Sequence, residues 1–421
     1  MSTKTVPRVM VAQIGARRNY LVPITLHRAG MVAAFYTDWY APKTPLTHAA
    51  SAVAQVLPFK TIRRAASRQA KEIPLDRVKH FPLFAIWYTW IKKWARQRNA
   101  LQLAYLMGGQ RFCKAIVREH IPKCDVLYAF SSAAKELFEW ARRTGVICVV
   151  DQGIPPLIIE ARLVREQEEA YPQWTTGMSN CEGVEAYTER QREEWELSDA
   201  ILCPSQFCRR AVIEAGGPPE KICFLPSGVH RSFFAAERRP EPHSGLRVLF
   251  VGNTPIRKGL PDLVLALEQL RSHYITGIFV GATTSLTEYA IRRAKKVGSL
   301  LGNVTRDQMI SLYASADVLV LPTVSDIFPG AVLEALAMGL AVITTPNCGA
   351  ADIVRDGIDG FIVPIRSPQS IAEKLELLAT DSRLLEEMQH NARQRAADFT
   401  PEAYEARLTE VLCDLWVRSA G

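Results

Sequence analysis

The chain has 421 residues, 48% of them apolar and 22% charged, with a net charge of +8. This length suggests two or three domains, and the composition is that of a globular protein, not a disordered or fibrous one. No run of eighteen apolar residues occurs, and the apolar stretch near the N-terminus is too short for a leader, so a cytoplasmic chain without membrane-spanning helices is expected. Nine cysteines are scattered, and the closest pair, Cys203 and Cys208, is separated by four residues. No CxxC or Cys/His cluster appears, so neither a zinc site nor a disulfide framework is expected.

In chain order, Arg8 to Ile14 reads as a first strand and Gly15 ends it. A glycine there, before the helical stretch Leu21 to Arg28, lets a ligand approach the backbone closely. Arg17 and Arg18 in the same loop are candidates to meet a phosphate or an acidic acceptor. Val32 to Tyr36 is a second strand, and Ala41 to His120 is mainly helical in pieces broken by prolines. Between Lys60 and Lys123 there are fifteen Lys/Arg against three acids, a local surplus that exceeds the net charge of the whole chain. Within it, Phe81 to Arg98 interleaves Trp87, Tyr88, Trp90 and Trp94 with Lys92, Lys93, Arg96 and Arg98. That pattern suits the headgroup layer of an anionic membrane, and the charge imbalance favours it over an ordinary helix with a solvated basic face. Nucleic acid is not expected, because no recognised binding motif accompanies the patch.

The alternation then becomes regular. Val126 to Phe130 is a strand, Ala133 to Arg143 a helix with Gly145 as its cap, and Val146 to Val150 a strand. Asp151 and Gln152, just after it, are candidates for polar contacts on the acceptor side, or a capped turn without a ligand. Ile158 to Glu196 reads as long, polar and helical, its glutamates forming a solvated face. Strand Ala200 to Cys203, helix Ser205 to Ala215 and strand Ile222 to Leu225 follow, with His230 as a hinge-loop residue. Pro240 and Pro242 mark a linker. Residues 1–238 then form a first domain, 246–400 a second, and 401–421 a terminal helix.

Strand Leu246 to Val251 opens the second domain, followed by a loop with Asn253, Arg257 and Lys258 and by helix Leu260 to Leu270. Two cations at a strand end beside a helix start are placed to neutralise a phosphate pair. Strands Gly277 to Val280 and Val318 to Leu321 lead to SDIFPGAVLEALAMG, Ser325 to Gly339. Pro329 suits a helix start, and Ala331 to Met338 is apolar except for Glu334. A carboxylate buried in such a helix requires donors. The helix N-terminus at Gly330 and Ala331 is a natural anion site, and Asp326 stands eight residues before Glu334. Strand Leu340 to Ile343 and helices Ser370 to Leu378, Arg383 to Ala397 and Pro401 to Arg418 complete the chain.

Asp326 and Glu334 match the spacing of the Glu-x7-Glu motif, and Gly339 to Pro364 and Glu196 to Phe234 continue the likeness. The chain thereby resembles retaining glycosyltransferases of the GT-B fold, family 4 in particular. The resemblance implies an α/β fold of two Rossmann-like domains facing across a cleft, with the terminal helix crossing back to the first. It implies a nucleotide-diphosphate sugar as donor, with Arg257 and Lys258 on the diphosphate, helped by the helix start at Gly330 and Ala331. Glu334 would meet the ribose and Asp326 the sugar. Gly15, Asn253 and Val304 are further donor-side candidates, the base lying near Gly302 to Thr305. Transfer would retain the anomeric configuration without a metal or other cofactor, to a glycan or lipid-linked acceptor of cell-envelope or exopolysaccharide type, with the chain peripheral at the inner membrane face. Two departures stand out: Asp326 replaces the usual Glu, and no histidine occurs between His120 and His230, where the family often has one. Two other readings stay open: a non-catalytic nucleotide-sugar binder or partner subunit, and a different GT-B activity such as an epimerase.

Overall fold

The computed structural model describes residues 6–41, 68–70, 72–98, 100–177, 179, 182–228, 231–235, 245–270 and 274–420. Two parallel sheets organise them, each with helices on both faces. The first comprises β1 (Val9–Gln13), β2 (Val32–Thr37), β3 (Val78–His80), β4 (Val126–Phe130), β5 (Ile147–Asp151), β6 (Ala200–Cys203) and β7 (Ile222–Phe224), in the order β3-β2-β1-β4-β5-β6-β7. Its inner strands are buried along their whole length, which is why they read as unbroken apolar runs without alternation. The crossovers carry α1 (Leu21–Arg28), α2 (Pro82–Gln97), α3 (Leu101–Val117), α4 (Lys135–Arg142), α5 (Leu157–Ala170), α6 (Val184–Leu197) and α7 (Gln206–Glu214).

A short helix, α8 (Arg231–Ala235), precedes the second sheet. That sheet comprises β8 (Leu246–Val251), β9 (Ile275–Val280), β10 (Gly298–Gly302), β11 (Val318–Leu321), β12 (Ala341–Thr344) and β13 (Gly360–Ile362), in the order β10-β9-β8-β11-β12-β13. Its helices are α9 (Leu260–Leu270), α10 (Glu288–Val297), α11 (Arg306–Ser315), α12 (Gly330–Ala337), α13 (Pro368–Thr380) and α14 (Ser382–Ala396). The last helix, α15 (Pro401–Ala420), leaves this domain. Its Tyr404, Leu408 and Leu412 are buried with Val9, Tyr20 and Leu26 of the first. The two-domain α/β architecture implied by the resemblance is therefore present.

Each sheet reverses its strand order once, between β1 and β4 in the first and between β8 and β11 in the second. In doubly wound sheets the carboxyl ends of the strands at such a reversal form the ligand crevice. The loops emerging there are Gly15 to Tyr20 after β1, Gly252 to Gly259 after β8, and Pro322 to Pro329 after β11.

Helix α5 ties the domains together. Arg366 of the second domain donates to Gln167 Oε1 at 3.0 Å, to the Leu163 carbonyl and to Glu166. Gln167 and Tyr171 in turn donate to the buried Asp262 carboxylate at 2.7 and 2.6 Å.

Several expectations change. The stretch Ile158 to Glu196 is two helices, α5 and α6, with Pro172 and the left-handed Gly183 (φ 79°) between them. Its glutamates are not all solvated. Glu194 is fully buried and accepts from the amides of Ser132, Ala134 and Lys135 while pairing with Arg190, so it caps the start of α4. Strands β3, β10 and β13 were not expected. All three are edge strands, β3 and β13 only three residues long and β10 half-exposed, so none presents the long continuous apolar run of a central strand. His230 and most of the linker after Ala235 lie outside the described residues, as do Lys60, Arg63, Arg64 and Lys71 of the basic segment. Cys203 and Cys208 are both buried free thiols.

Candidate active site

The second-domain half of the site is built on the ends of β8 and β11. The loop after β8 returns at Gly259, whose φ of 79° suits glycine and where an added Cβ would stand 2.1 Å from the Pro322 carbonyl oxygen. This close approach brings Arg257 and Lys258 against the loop after β11. The Arg257 carbonyl accepts from the Val324 amide and the Thr323 hydroxyl, both at 3.0 Å, and its guanidinium donates to the Ser325 carbonyl. Lys258 Nζ forms an ion pair with Asp326 Oδ2, with the two side chains 13% and 12% exposed. Gly252 leaves room for the aliphatic stem of Lys258 to pass over the strand end. Burial, with the Arg257 charge, pushes the Lys258 ammonium down to about 7. The carboxylate in contact with it opposes that loss of charge. Asp326 Oδ1 accepts from the Phe328 amide at 3.3 Å, which turns the chain toward α12.

Glu334 is partly open, not sealed in the core as its apolar neighbours imply. Val332, Leu333, Ala335 and Leu336 take the buried face of α12 and leave Glu334 on its rim. Its Oε2 accepts from the buried Tyr313 hydroxyl at 2.9 Å, and that hydroxyl also reaches the Ala331 carbonyl at 3.2 Å. Burial raises the Glu334 carboxyl above its usual range, and the Tyr313 hydrogen bond and the nearby Arg306 charge partly offset the rise. Gly330, the first residue of α12, is exposed and has open space where a Cβ would stand. Asn253 accepts from the Ala282 amide at 3.1 Å and so joins the loops after β8 and β9. Val304 lies beyond β10 and packs partly buried on the second-domain core. Tyr313 was not singled out from the sequence, because a tyrosine in a helix carries no sign of the carboxylate it will meet.

The first-domain half surrounds a cavity of about 1380 Å³. Gly15 lines it with φ 81°, and its amide donates to Asp38 Oδ1 at 2.9 Å. Asp38 in turn accepts two hydrogen bonds from Arg68. Arg17 faces the cavity with its guanidinium 5.4 Å from the Phe130 ring centre. The other acceptor-side candidates are engaged internally. Arg18 donates to the buried Asp151 at 3.0 Å and to Tyr404 of α15 at 3.3 Å. Burial lowers its pKa, but Asp151 and Tyr404 outweigh that effect and the net shift is upward. Asp151 also accepts from Tyr128. Gln152 is fully buried, accepting from Trp195 Nε1 and donating to the Ile154 carbonyl, both at 2.8 Å. Asp151 and Gln152 therefore point inward and hold β5, α6 and α15, not a ligand. Glu160 of α5 was also unforeseen. It lines the cavity and pairs with Arg257 Nε at 3.6 Å across the domain boundary, which links the two halves. Among the described residues no cluster of three His, Cys, Asp or Glu side chains is placed to hold a metal ion.

Residues 234–395, which contain Arg257, Lys258, Asp326 and Glu334, match the family Glycosyl transferases group 1. The chain carries a group 1 glycosyl transferase domain. Over 306 residues it is 26% identical to the lipopolysaccharide 1,2-N-acetylglucosaminetransferase of Salmonella typhimurium, covering 62% of this chain and 76% of that one. WcaL of the same organism is 26% identical over 249 residues, 56% of this chain and 61% of that protein. The capsular polysaccharide biosynthesis glycosyltransferase CapM of Staphylococcus aureus reaches 43% identity over 86 residues, 20% of this chain and 23% of that one. The chain thus spans less than two thirds of the length of several curated relatives it matches. Among solved structures, sucrose-phosphate synthase from Thermosynechococcus elongatus superposes with a TM-score of 0.67 at 15% identity, over 98% of this chain and all of that one. Anabaena HepE in complex with UDP-glucose gives 0.61 at 15% identity, over 96% and 99%. These structures show the two-domain fold that this chain shares with them.

Proposed function

We propose that the chain is a retaining glycosyltransferase that moves a sugar from a nucleoside-diphosphate sugar to a glycan or lipid-linked acceptor held by the first domain. The observation that carries this reading is the convergence of Arg257, Lys258 and Asp326 at the strand reversal of the second sheet, with Glu334 on the rim of the following helix. Two cations on fixed loops oppose the charge that develops on a leaving diphosphate. In the reaction the bond from the anomeric carbon to the diphosphate oxygen breaks and a bond to the acceptor oxygen forms on the same face. The acceptor proton passes to the departing phosphate. Diphosphate binding would draw Lys258 from its pair and free Asp326 for the sugar hydroxyls, while Glu334 accepts from the ribose. UDP-glucose in the HepE complex supports a uridine nucleotide as the first donor to try. The relatives named for lipopolysaccharide and capsular polysaccharide synthesis support an envelope glycan as product.

The expected result is thermal stabilisation by one nucleoside diphosphate or its sugar, lost in Glu334→Ala and in Arg257→Ala/Lys258→Ala. A folded-state ligand at one hundred times its Kd adds about 2.7 kcal/mol. If no member of a UDP, GDP and ADP panel with their sugars binds, the donor reading fails.

The reading includes contact with an anionic membrane. No described helix is long and apolar enough to cross one. Helix α2, however, exposes Leu83, Ile86, Trp90 and Trp94 along one stripe, with Leu83 84% exposed. Trp87 and Tyr88 instead pack inward against Phe84. Arg98 lies beside the stripe and suits a lipid phosphate. Vesicles containing phosphatidylglycerol should co-sediment the protein at low salt, and Ile86→Ser/Trp90→Ser should abolish this. Equal sedimentation of the variant would overturn the assignment.

A further inference from the structure

Helix α2 presents a third face, distinct from its buried side and its exposed apolar stripe. Thr89, Lys92, Lys93 and Arg96 recur at spacings of three and four, and all four line the first-domain cavity. Across the cavity stand the Gly15 loop and Arg17. The lining holds six cationic side chains, Arg17, Arg18, Arg68, Lys92, Lys93 and Arg96, against two carboxylates, Asp38 and Glu160. Both carboxylates are already engaged, Asp38 by Arg68 and Glu160 by Arg257. Arg18 is held by Asp151. Arg17, Lys93 and Arg96 have no carboxylate partner among the described residues. The cavity is also larger than the roughly 300–1,000 Å³ of typical small-ligand pockets, so it has room for more than one sugar ring.

We propose that this cavity takes an acceptor that bears a phosphate or comparable anionic group, bound by Arg17, Lys93 and Arg96. Glu160 marks the end at which the cavity meets Arg257, and the acceptor hydroxyl points to that end. A cationic cavity raises the local concentration of anions and favours the charged acceptor over its neutral counterpart. Calling the bound molecule an acceptor rests on the transferase reading; the anion site itself stands on the cavity lining. The same chemistry has two sources, a soluble sugar or polyol phosphate and a lipid phosphate. The apolar stripe on the neighbouring face of α2 would lie beside the second.

The test is calorimetric binding at low salt of two probe pairs, myo-inositol 1-phosphate against myo-inositol and dihexanoyl phosphatidic acid against dihexanoyl glycerol. At least one phosphate-bearing probe should bind more tightly than its neutral partner, and its affinity should fall with added salt. Which pair shows the difference identifies the source. Lys93→Ala/Arg96→Ala and Arg17→Ala should each raise Kd by at least about tenfold, since each removes charge-assisted hydrogen bonds. Lys93→Arg, which keeps the charge, should retain binding, and Lys114→Ala, which removes an exposed cation of α3 outside the cavity lining, should bind within about twofold of wild type, by the independence of non-touching sites. No preference for phosphate in either pair would overturn the proposal. So would an equal loss in Lys114→Ala, since binding would then follow the general surface charge and not the cavity cations. Nucleotide binding measured on the same samples separates the two readings. Intact nucleotide binding without phosphate selectivity sinks this inference alone. Phosphate selectivity without nucleotide binding sinks the donor reading and leaves an anion site.

Discussion

The Lys258–Asp326 pair allows a quantitative test of how the donor side is held before a ligand arrives. Both side chains are nearly buried. Removing one member of a buried pair strands the other charge at a cost of about 3–5 kcal/mol, and the remaining exposure puts this pair at the low end. Lys258→Met is therefore expected to destabilise the second domain by about 3 kcal/mol, which at 2–4 °C per kcal/mol lowers Tm by about 6–12 °C. Asp326→Asn should cost less, because Lys258 can shed its proton: burial and the Arg257 charge already push it down to about 7. The double variant should recover to within about 1 kcal/mol of wild type, since it strands no charge, leaving a coupling energy of at least about 2 kcal/mol. Urea or thermal denaturation of the four proteins at low salt measures this directly. Additive single effects would refute the reasoning. The variant also has a pH signature. In wild type, nucleotide affinity should fall as pH rises through about 7, where Lys258 loses its charge, and Asp326→Asn should move that fall to lower pH by removing the carboxylate that favours the ammonium. Stability should move the other way. A folded-state pKa below the unfolded value near 10.4 means that the unfolded chain binds more protons between the two, so stability rises with pH across that window.

Three further outcomes are expected. Glu334→Gln should weaken nucleotide binding by about ten- to a hundredfold, the worth of a charged hydrogen bond at 1.5–3 kcal/mol. The same change should abolish a pH slope in stability. The raised carboxyl holds its proton longer in the folded chain, so wild-type stability falls as pH rises from its unfolded pKa to its higher folded one; an unchanged slope in Glu334→Gln would refute this. Gly259→Ala should destabilise by at least about 1–2 kcal/mol from the left-handed backbone alone, with the Pro322 carbonyl adding to it, and a neutral result in denaturation would show that the loop rearranges freely. Asp151→Asn should lower stability by about 3 kcal/mol or more, because it strands Arg18, yet leave the KM for acceptor within twofold; a selective KM effect would return Asp151 to the acceptor side.

Much of this protein is written in local pattern. Strands β6, β8 and β11 and helix α9 run between the residues at which the apolar runs, prolines and glycines place them. The reason is that central strands of a parallel sheet are buried on both faces and must be apolar throughout. The Arg257–Lys258 loop and the Asp326 to Glu334 stretch were likewise legible, because their charges interrupt otherwise apolar sequence at strand ends. Only the tertiary structure decided which charges face a ligand. Arg17 and Arg18 are adjacent in sequence, but the left-handed turn at Arg18 (φ 48°) sends it to Asp151, while Arg17 faces the cavity. Glu194 looks like any surface glutamate of an acidic helix, and becomes a buried cap because the start of α4 meets it 60 residues away in sequence. Glu160, Tyr313 and the cavity face of α2 have the same origin. Burial and pairing depend on neighbours brought in by chain crossing, and no local pattern carries the identity of a partner a hundred residues away.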